Sequence, residues 1–551
     1  MDMLKFIAVS GTTGVTENLY IYEYGSDIIV VDCGVGFPEE ATYGVDLVIP
    51  DFSYLVQNKN KIRGVFISHG HEDHYGALPF LLRELSVPVY TAKLTAGFIE
   101  DKLADYKVRG TRIVIIDPDK GAVKLGNFTV EAFRVTHSVP DALGFCITTP
   151  VGKLFHVSDY KFDWTPVDQR PFDIARAARL AQGETIALAS DSLGSTSQGY
   201  THSELEIEKT IELIVDKVEK KVFFTTISSN ISRMRQALNA SRTFGRKVVF
   251  VGRSIETKMG IAKKLGLVSW EDGLVISRQE AQKLPPHEVT YIISGCYGQI
   301  DSALYKVALD EHQFLTVNEG DVVIFSADPS PPGTEQAVNY IVDKLIEHGA
   351  NVHYYDTQED LHVSGHGSQK DIEVLFSLIR ARYLIPIGGT IRHMREYTKL
   401  AQTMGWDGHN VFELRGGDSI EFTREGARRG KPIPSQSILV DGLGVGDVGN
   451  VVLRDRKTLA REGIVIVVIQ LDRSTGMLTE TPELISRGFV FAREQQKLLN
   501  EAGRALLGEI QKRHKKGDGH LARETTIKFL ERFFFEKTAR RPMILPVVVE
   551  V

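Results

Sequence analysis

The stretch ISHGHEDHYG, residues Ile67–Gly76, places three histidines and two acidic residues within six positions, directly after the apolar run GVFI (64–67). Its order His69, His71, Asp73 and His74 gives the pattern H-x-H-x-D-H. Imidazole and carboxylate groups are the ligands that zinc and similar divalent cations take. Loops that leave the carboxyl ends of strands form the ligand-binding edge of open α/β sheets. The pattern therefore predicts a metal site at a strand end, with a polar loop of hydrogen-bonded histidines as the alternative.

Short β-rich runs alternate with helical stretches on both sides of this loop. The predicted strands include NLYIYEY (18–24), DIIVVDCG (27–34), RGVFIS (63–68), FTVEAFRV (128–135), KLFHVSD (153–159) and TIALASD (185–191). Between them, YGALPFLLREL (75–85) and KLTAGFIEDKL (93–103) have the apolar spacing of helices. This alternation predicts a layered α/β domain.

Three further strand ends carry residues of the same chemical type. Asp32 ends one strand, His137 follows another, and Asp159 ends a third. Each residue alone fits an ordinary role, as a turn-capping carboxylate or a hydrogen-bonded loop histidine. Together with the histidine-rich loop, they form a set of the size that a metal site needs.

The pattern divides the chain into five segments. The α/β domain occupies 1–203 and resumes at 356–432, after an insertion at 204–355 whose alternating strands and helices predict a parallel sheet. Residues 433–460 contain GLGVGDVGN (442–450), interpreted as a flexible linker rather than a dinucleotide-binding loop, because VVLRDR (451–456) favours a strand where that loop needs a helix. Residues 461–551 are expected to form a small α+β domain.

Composition limits the class of protein. The 551 residues are 42% hydrophobic and 25% charged, which is typical of a globular chain with roughly three domains. No apolar run reaches the ~18 residues of a membrane span, so no membrane partner is expected. The three separated cysteines favour a reducing, cytoplasmic location. The net charge of −6 means that a polyanion would need a local basic groove.

Longer motifs give a specific resemblance. The ordered set Asp32, H-x-H-x-D-H, His137 and Asp159 resembles the metallo-β-lactamase fold, and LASDS (188–192) with HVSGHGSQ (362–369) resembles the added motifs of its β-CASP nucleases. FPEEATYGVDLVIPDFSYL (37–55), THSVPDALGF (136–145), VGRS (251–254) and VDGLGVGDVGNVVLRDR (440–456) are similar to ribonuclease J. The resemblance implies an αββα sandwich with an inserted β-CASP α/β domain and a small C-terminal α+β domain.

The resemblance also implies roles for individual residues. His69, His71 and His137 would hold a first zinc ion, Asp73 and His74 a second, and Asp159 would bridge both. Asp32 would orient a ligand histidine from outside the coordination sphere. The implied catalytic residues are Asp73, Asp159 and His366, with His366 holding the phosphate or protonating the leaving oxygen. The residues implied to contact RNA or its phosphate are Ser229, Asn230, Arg253, His362, Ser364, Gly365 and His366.

One motif departs from the family pattern. Ribonuclease J normally has P-x-H-G-E, whereas this chain has Pro386-Ile387-Gly388-Gly389-Thr390, so the last ligand of the second metal is absent. Three explanations are open. The second metal binds weakly through the remaining ligands and water, His393 swings in to replace the missing ligand, or the second site stays empty.

The favoured function is a zinc-dependent ribonuclease, with Mn²⁺ or Mg²⁺ able to substitute, that trims single-stranded RNA 5′-to-3′ from a 5′-monophosphate and also cuts internally. A catalytically weakened relative that binds RNA or partner nucleases is the alternative, because of Gly388. A small-ester or lactam hydrolase is disfavoured by the insertion and by HVSGHGSQ. The family's assemblies imply a homodimer or homotetramer.

Overall fold

The computed structural model describes residues 3–38, 42–327, 334–442, 444–475, 477–489, 492–513 and 519–551. The chain separates into two compact units, one of residues 1–37 and 48–438 and the other of residues 38–47 and 439–551. No helix in the described part of the chain combines the length and apolarity that crossing a membrane requires.

The larger unit alternates strands and helices along most of its length. Its strands are β1 (Leu4–Ser10), β2 (Leu19–Tyr24), β3 (Asp27–Val31), β4 (Leu47–Ile49, whose first residue falls in the smaller unit), β5 (Ile62–Phe66), β6 (Val89–Thr91), β7 (Ile113–Ile115), β8 (Val123–Leu125), β9 (Phe128–Arg134), β10 (Leu143–Thr148), β11 (Lys153–Val157), β12 (Thr185–Asp191), β13 (Val222–Thr225), β14 (Lys247–Val251), β15 (Val289–Ile293), β16 (Val322–Phe325), β17 (Asn351–His353), β18 (Tyr383–Ile387), β19 (Ser419–Phe422) and β20 (Ala427–Arg429). Its helices are α1 (Ser53–Gln57), α2 (Glu72–Tyr75), α3 (Leu78–Glu84), α4 (Lys93–Asp105), α5 (Ile174–Leu180), α6 (Glu204–Val215), α7 (Ile231–Thr243), α8 (Arg253–Lys264), α9 (Arg278–Ala281), α10 (Ala303–Ala308), α11 (Glu335–Glu347), α12 (Gln369–Ile379) and α13 (Ile391–Thr403).

Two sheets pack face to face in this unit. The first has the strand order β20-β19-β1-β2-β3-β5-β6-β7, and the second has the order β18-β12-β11-β10-β9-β8. One apolar cluster joins their facing sides, including Phe6, Tyr22 and Phe145. A second cluster covers the outer side of the second sheet with helices α5, α12 and α13. This is the αββα sandwich that the resemblance implies, and it confirms the layered α/β domain that the sequence pattern predicts.

A separate five-stranded sheet interrupts the second sheet between β12 and β18. Its order is β14-β15-β13-β16-β17, and every pairing in it is parallel. Its inner strands are buried on both faces, as Val289–Ile293 illustrates with five buried residues, because helices cover both sides of such sheets. The predicted parallel sheet of the insertion is therefore present. Strands β12 and β18, which flank the insertion in the sequence, pair with each other in parallel in the second sheet.

The smaller unit corrects one prediction. Its elements are β21 (Ile438–Asp441), β22 (Gly444–Val445), α14 (Asn450–Glu462), β23 (Ile464–Leu471), β24 (Glu483–Arg487), α15 (Ala492–Arg513), α16 (Gly519–Thr538) and β25 (Met543–Glu550). VVLRDR is therefore helical, and the strand expected there is wrong. The preceding strands β21 and β22 form an antiparallel hairpin, so a βαβ dinucleotide unit is still not formed. Strands β24-β23-β25 form a sheet packed on α15 and α16.

Candidate metal centre

The ends of several strands meet at one edge of the sandwich. Asp32 directly follows β3, and the loop with His69 and His71 follows β5 in the same sheet. His137 follows β9, and Asp159 follows β11 in the other sheet. Strands β11, β12 and β18 are parallel neighbours, so their carboxyl ends bring Asp159, Asp191 and Gly388 together. The edge therefore collects residues that are more than 300 positions apart in the chain.

Four predicted ligands converge at this edge. The donor atoms of His69, His71, His137 and Asp159 all lie within 4.8 Å of one another. His71 Nδ1 is 3.1 Å from His69 Nε2 and 3.0 Å from His137 Nε2. Asp159 Oδ2 is 3.5 Å from both His69 Nε2 and His137 Nε2. This arrangement is a compact cage of three imidazole nitrogens and one carboxylate oxygen.

Hydrogen bonds behind the rings determine which nitrogen faces the cage. His137 Nδ1 donates to the Gly365 carbonyl at 2.8 Å, which leaves the Nε2 lone pair facing inwards. His69 Nδ1 lies 2.9 Å from Ser68 Oγ, so its Nε2 also faces inwards. Such outer hydrogen bonds are typical of metal-binding histidines. The tautomers that the surroundings favour are those that a metal requires.

The three cage histidines are held neutral. Burial lowers the pKa of His69 and His137 well below the usual range and lowers the pKa of His71 to about 3. Neutral imidazole is the form that coordinates metals. Three such nitrogens facing one another about 3 Å apart repel unless a cation lies among them. The donor set therefore fits a divalent cation, and its nitrogen and oxygen ligands match zinc chemistry.

Asp73 and His74 form a second group with Asp159. His74 Nε2 is 3.5 Å from Asp73 Oδ2 and 3.4 Å from Asp159 Oδ2. Burial lowers the pKa of His74, but the carboxylates of Asp159, Asp73 and Asp32 outweigh burial and hold it well above the usual range. Asp159 Oδ2 thus borders both groups. The second group offers three ligands where the first offers four.

Asp32 supports both groups from behind. It is fully buried, and its Oδ2 accepts hydrogen bonds from His74 Nδ1 at 2.8 Å, Ser68 Oγ at 2.9 Å and Ser158 Oγ at 2.8 Å. Its Oδ1 accepts from the Ser68 amide at 2.8 Å. Ser68 Oγ also contacts His69, so Asp32 reaches one histidine of each group. Neither serine was predicted as a site residue, since a lone serine beside a ligand gives no pattern.

His366 and Asp191 form a third group with Asp159. His366 Nδ1 donates to Asp191 Oδ2 at 2.7 Å, and its Nε2 lies 3.9 Å from Asp159 Oδ2. Burial lowers the pKa of His366, but Asp191 and Asp159 reverse this and raise it to about 9. Asp191 was recognised in a motif but was not predicted as a site residue. In the structure, the Asp191 carboxylate orients the His366 ring through this hydrogen bond.

Position 388 faces these carboxylates. A Cβ built on Gly388 would lie 3.3 Å from Asp191 Oδ1 and 4.0 Å from Asp159 Oδ1. The glycine has φ +66°, a conformation that disfavours other residues. A histidine at this position would start beside Asp159, so its absence leaves the second group one ligand short.

His393 does not fill this gap, which corrects the possibility that it swings in. Its Nδ1 accepts a hydrogen bond from the Thr390 amide at 3.1 Å and caps α13. None of the ligand groups found among the described residues includes His393. Capping satisfies an amide at the start of the helix that would otherwise lack a partner. The His393 ring therefore caps α13 and does not act as a metal ligand.

Two predicted RNA contacts are also corrected. Ser229 and Asn230 are each only 3% exposed. The Asn230 side chain accepts from the Arg233 amide at 2.9 Å and caps α7. Arg233 in the same segment is fully buried and pairs with Glu204 at 2.7 Å. These side chains stabilise the insertion through buried contacts, and they expose little surface that an RNA strand could contact.

The other predicted phosphate contacts lie in two places. Ser364 is exposed, and its Oγ accepts from the His366 amide at 3.0 Å. Gly365 packs so closely that a Cβ there would lie 2.6 Å from His137 Cε1. His362 is half-buried on the same loop. Arg253 instead begins α8, where its largely exposed guanidinium pairs with Asp105 at 3.2 Å.

Two residues near the second group were missed. A Cβ on Gly34 would lie 1.5 Å from the Asp73 carbonyl oxygen, so only glycine fits there. Asn18 Nδ2 lies 3.1 Å from that oxygen and 3.2 Å from His74 Nε2. Gly34 and Asn18 are both far in the sequence from residues 73 and 74, which they contact. The glycine of DCG (32–34) is a signal for close approach of another backbone segment, because glycine at a strand often occurs where two backbones come together.

Family models match most of the chain. They are the metallo-beta-lactamase superfamily over residues 12–225, the ribonuclease J beta-CASP domain over residues 219–345, and the ribonuclease J C-terminal domain over residues 451–551. A crystal structure of a protein of unknown function from Enterococcus faecalis V583 covers 76% of this chain and 100% of its own, with a TM-score of 0.52 and 15% identity. At that identity the likeness concerns the fold alone.

Full-length relatives agree with the family models. The chain is 36% identical to ribonuclease J2 of Bacillus subtilis over 100% of this chain and 99% of the relative. It is 36% identical to ribonuclease J of Thermus thermophilus over 100% and 96%, and 35% identical to ribonuclease J 1 of Streptococcus pyogenes over 98% and 97%. With this similarity along its whole length and the ligand residues gathered at one sheet edge, the chain belongs to the ribonuclease J family of β-CASP proteins in the metallo-β-lactamase superfamily.

Proposed function

We propose that this chain is a metal-dependent ribonuclease that hydrolyses phosphodiester bonds at the edge where His69, His71, His137 and Asp159 meet. The observation that carries the proposal is the convergence of their four donor atoms within 4.8 Å. The ribonuclease names of its full-length relatives supply the substrate class. The weakened, RNA-binding alternative rests on Gly388 alone, and a complete first ligand group speaks against it.

Zinc is the proposed metal, with Mn²⁺ or Mg²⁺ as substitutes. His69, His71 and His137 would hold the first ion, Asp73 and His74 a second and weaker one, and Asp159 both. A cation bound there supplies Lewis-acid stabilisation of phosphate charge and lowers the pKa of water into the neutral range. Asp32 would hold the His74 ring in the orientation that its 2.8 Å hydrogen bond fixes.

The remaining chemistry is assigned to two side chains. Asp73 is the more exposed carboxylate of the second group, with 23% of its side chain accessible, and it would orient the attacking water. His366 is held by Asp191 through Nδ1, so its Nε2 would contact the phosphate or give a proton to the leaving 3′-oxygen. Ser364 would contact a phosphate from the exposed side of the same loop.

The direction of cleavage, the cellular location and the assembly belong to the same proposal. A loop that binds a terminal 5′-monophosphate beside His366 would give 5′-to-3′ trimming of single strands, with internal cuts where a strand passes through. A cytoplasmic location fits the three cysteines, which are free and buried. The homodimer or homotetramer would use the exposed apolar face of the C-terminal sheet, described below.

The decisive experiment uses RNA labelled at either end. Purified protein is incubated with Mn²⁺ or Zn²⁺ and a 5′-monophosphorylated single strand, and products are resolved by length. We expect mononucleotides from the 5′ end, and their loss in His71→Ala, which removes one of the four donor atoms of the cage. An RNA mobility shift without any cleavage by the metal-loaded wild-type protein would overturn the proposal in favour of the RNA-binding alternative.

A further inference from the structure

A cavity of 480 Å³ lies between the loop after β11 and two helices of the insertion. This volume is within the ~300–1,000 Å³ range of small-molecule sites. Trp164, Pro166 and Pro171 line it from the loop, Leu205 lines it from α6, and Arg235 and Asn239 line it from α7. Trp164 lies five residues after Asp159 on the same loop, so the loop that lines the cavity also carries a ligand of the metal centre.

Trp164 presents an aromatic face to this cavity. The side chain is 62% exposed, whereas Phe162 beneath it is 2% exposed. The two rings are stacked, with centroids 6.2 Å apart and planes inclined by 24°. A rigidly backed, exposed indole is a stacking surface for a base in proteins that hold single strands.

Three arginines from different elements surround Asp168 on this loop: Arg134 ends β9, Arg170 lies on the loop and Arg235 lies on α7. Burial raises the pKa of Asp168, and Arg170, Arg134 and Arg235 each lower it, so all three cations act on one carboxylate. Arg134 Nε is buried and has no hydrogen-bond partner among the described residues. Among those residues, no acidic side chain lies within ion-pair distance of Arg235. Arg235 is therefore the cation that the cavity offers to the phosphate of a strand.

A narrow cleft beside the metal centre shares part of its lining with the cavity. It shares Pro166 and Val167 with the cavity, and the ligand His137 also lines it. Its two arginines, Arg134 and Arg170, are offset by the acidic residues Asp141, Asp163, Asp168 and Glu204. Its volume of 20 Å³ is too small for a nucleotide. We therefore assign a ligand only to the open cavity.

We propose that this cavity is a nucleotide subsite for the RNA strand, in which the indole of Trp164 stacks on a base and Arg235 binds the adjoining phosphate. The inference rests on the proposed ribonuclease function and adds a site that holds the strand away from the cleaved bond. Stacking does not distinguish bases, because every base has a π-face. Glu208 also lines the cavity, but its carboxylate accepts from Asn239 Nδ2 at 2.9 Å. The subsite therefore binds any sequence.

The test compares long and short substrates. Steady-state constants are measured with Mn²⁺ for 5′-phosphorylated oligouridylates of about 20 and of two nucleotides. We expect Trp164→Ala to raise KM for the longer substrate about tenfold with kcat within about twofold, because one stacked base is lost. The dinucleotide constants should stay at the wild-type values, since a dinucleotide fills only the catalytic edge. Arg235→Gln should lower the slope of log KM against log salt by about 0.7, as loss of one phosphate contact does.

The matched control is Trp270→Ala. Trp270 also lies beside a cation, with Lys263 Nζ 4.3 Å from its ring centroid, but it is outside the cavity lining. Equal KM values for the Trp164→Ala and Trp270→Ala variants on the long substrate would overturn the subsite while leaving the nuclease intact. Wild-type protein that neither binds nor cleaves either substrate would instead overturn the proposed function, and the subsite with it. Equal weakening of both substrates by Trp164→Ala would also overturn the subsite, because the tryptophan would then affect the catalytic edge.

Discussion

At the scale of single residues, Gly388 is the position where this chain departs from its family. Its missing side chain would begin 3.3 Å from Asp191 and 4.0 Å from Asp159, the carboxylate that the second and third groups share. Its φ of +66° costs roughly 1–2 kcal/mol for a residue with a side chain. A histidine at this position would add a metal contact and would also introduce backbone strain. The two effects can be measured separately.

We expect Gly388→His to bind a second cation at least about tenfold more tightly than the wild type, because a ligand is restored where three already converge. Metal content after dialysis and calorimetric titration with Zn²⁺ or Mn²⁺ measure this directly. Gly388→Ala is the control, since it introduces the same strain without a donor atom. Identical metal content in the histidine and alanine variants would show that position 388 does not reach the second group.

The same scale shows what the sequence can reveal about the site. His69, His71, Asp73 and His74 are recognisable because they are contiguous and chemically uniform. Gly34 and Asn18 are not, because their contacts with residues 73 and 74 exist only after two strands come together. Asn230 was misassigned for a related reason. An asparagine before a helix is equally suited to cap it or to bind a ligand, and only the fold distinguishes the two.

At the scale of elements, the cap of α7 gives a second test. Asn230→Ala should destabilise the protein by about 1 kcal/mol, because the Arg233 amide loses its acceptor. KM for RNA should stay unchanged. Urea unfolding and steady-state kinetics measure the two quantities, and Asn230→Asp should restore the stability because aspartate caps equally well. A raised KM at wild-type stability would return Asn230 to the RNA-binding surface.

A buried ion pair joins α6 to α7 and gives a pH-dependent test. Burial raises the pKa of Glu204, but Arg233 and Lys161 outweigh burial and lower it from 4.5 to about 2. The folded-state pKa lies below the unfolded value, so the carboxylate stabilises the fold fully above about pH 4.5. That contribution is lost as the pH falls through about 2.

Glu204→Gln should therefore be less stable than the wild type by roughly 3 kcal/mol at pH 7, with the difference shrinking below pH 4.5. Denaturant unfolding at a series of pH values gives this difference. Glu206→Gln is the control, because Glu206 lies on the same helix with 61% of its side chain exposed and pairs only with His202 in the described contacts. A difference that stays constant from pH 7 to pH 3 would mean that the pKa of Glu204 is the same in the folded and the unfolded protein.

Elements differ in how much of them the sequence determines. The parallel sheet of the insertion is predictable because its strands are continuous apolar runs, which only two-sided burial tolerates. VVLRDR was misread because Val451 and Val452 favour strands. The helix α14 extends to Glu462 through residues that favour helices, such as Arg454, Leu459 and Arg461, and these outweigh two valines at its start.

At the scale of the whole molecule, the C-terminal sheet has one face buried and one face exposed. The helices α15 and α16 cover one side, where Val465, Val467 and Ile469 are fully buried. On the opposite side, the strand register places Ile485, Ile466 and Leu545 next to one another in a row across the three strands. Val468 and Val547 are neighbours in the next row on the same side. Leu545, Val547 and Val549 are each about 40% exposed, at 46%, 39% and 41%. Apolar rows of this kind mark interaction surfaces.

We expect this face to form the contact between copies of the chain, so Val547→Asp should shift the assembly towards monomers by burying a charge at the interface. Light scattering coupled to size-exclusion chromatography measures the mass. Leu213→Asp is the control, because Leu213 is 71% exposed on α6 and lies in the other unit. A monomeric wild type, or a Val547→Asp variant with the wild-type mass, would mean that the face has another partner. Metal content should be unchanged in both variants, since the ligand residues all lie in the larger unit.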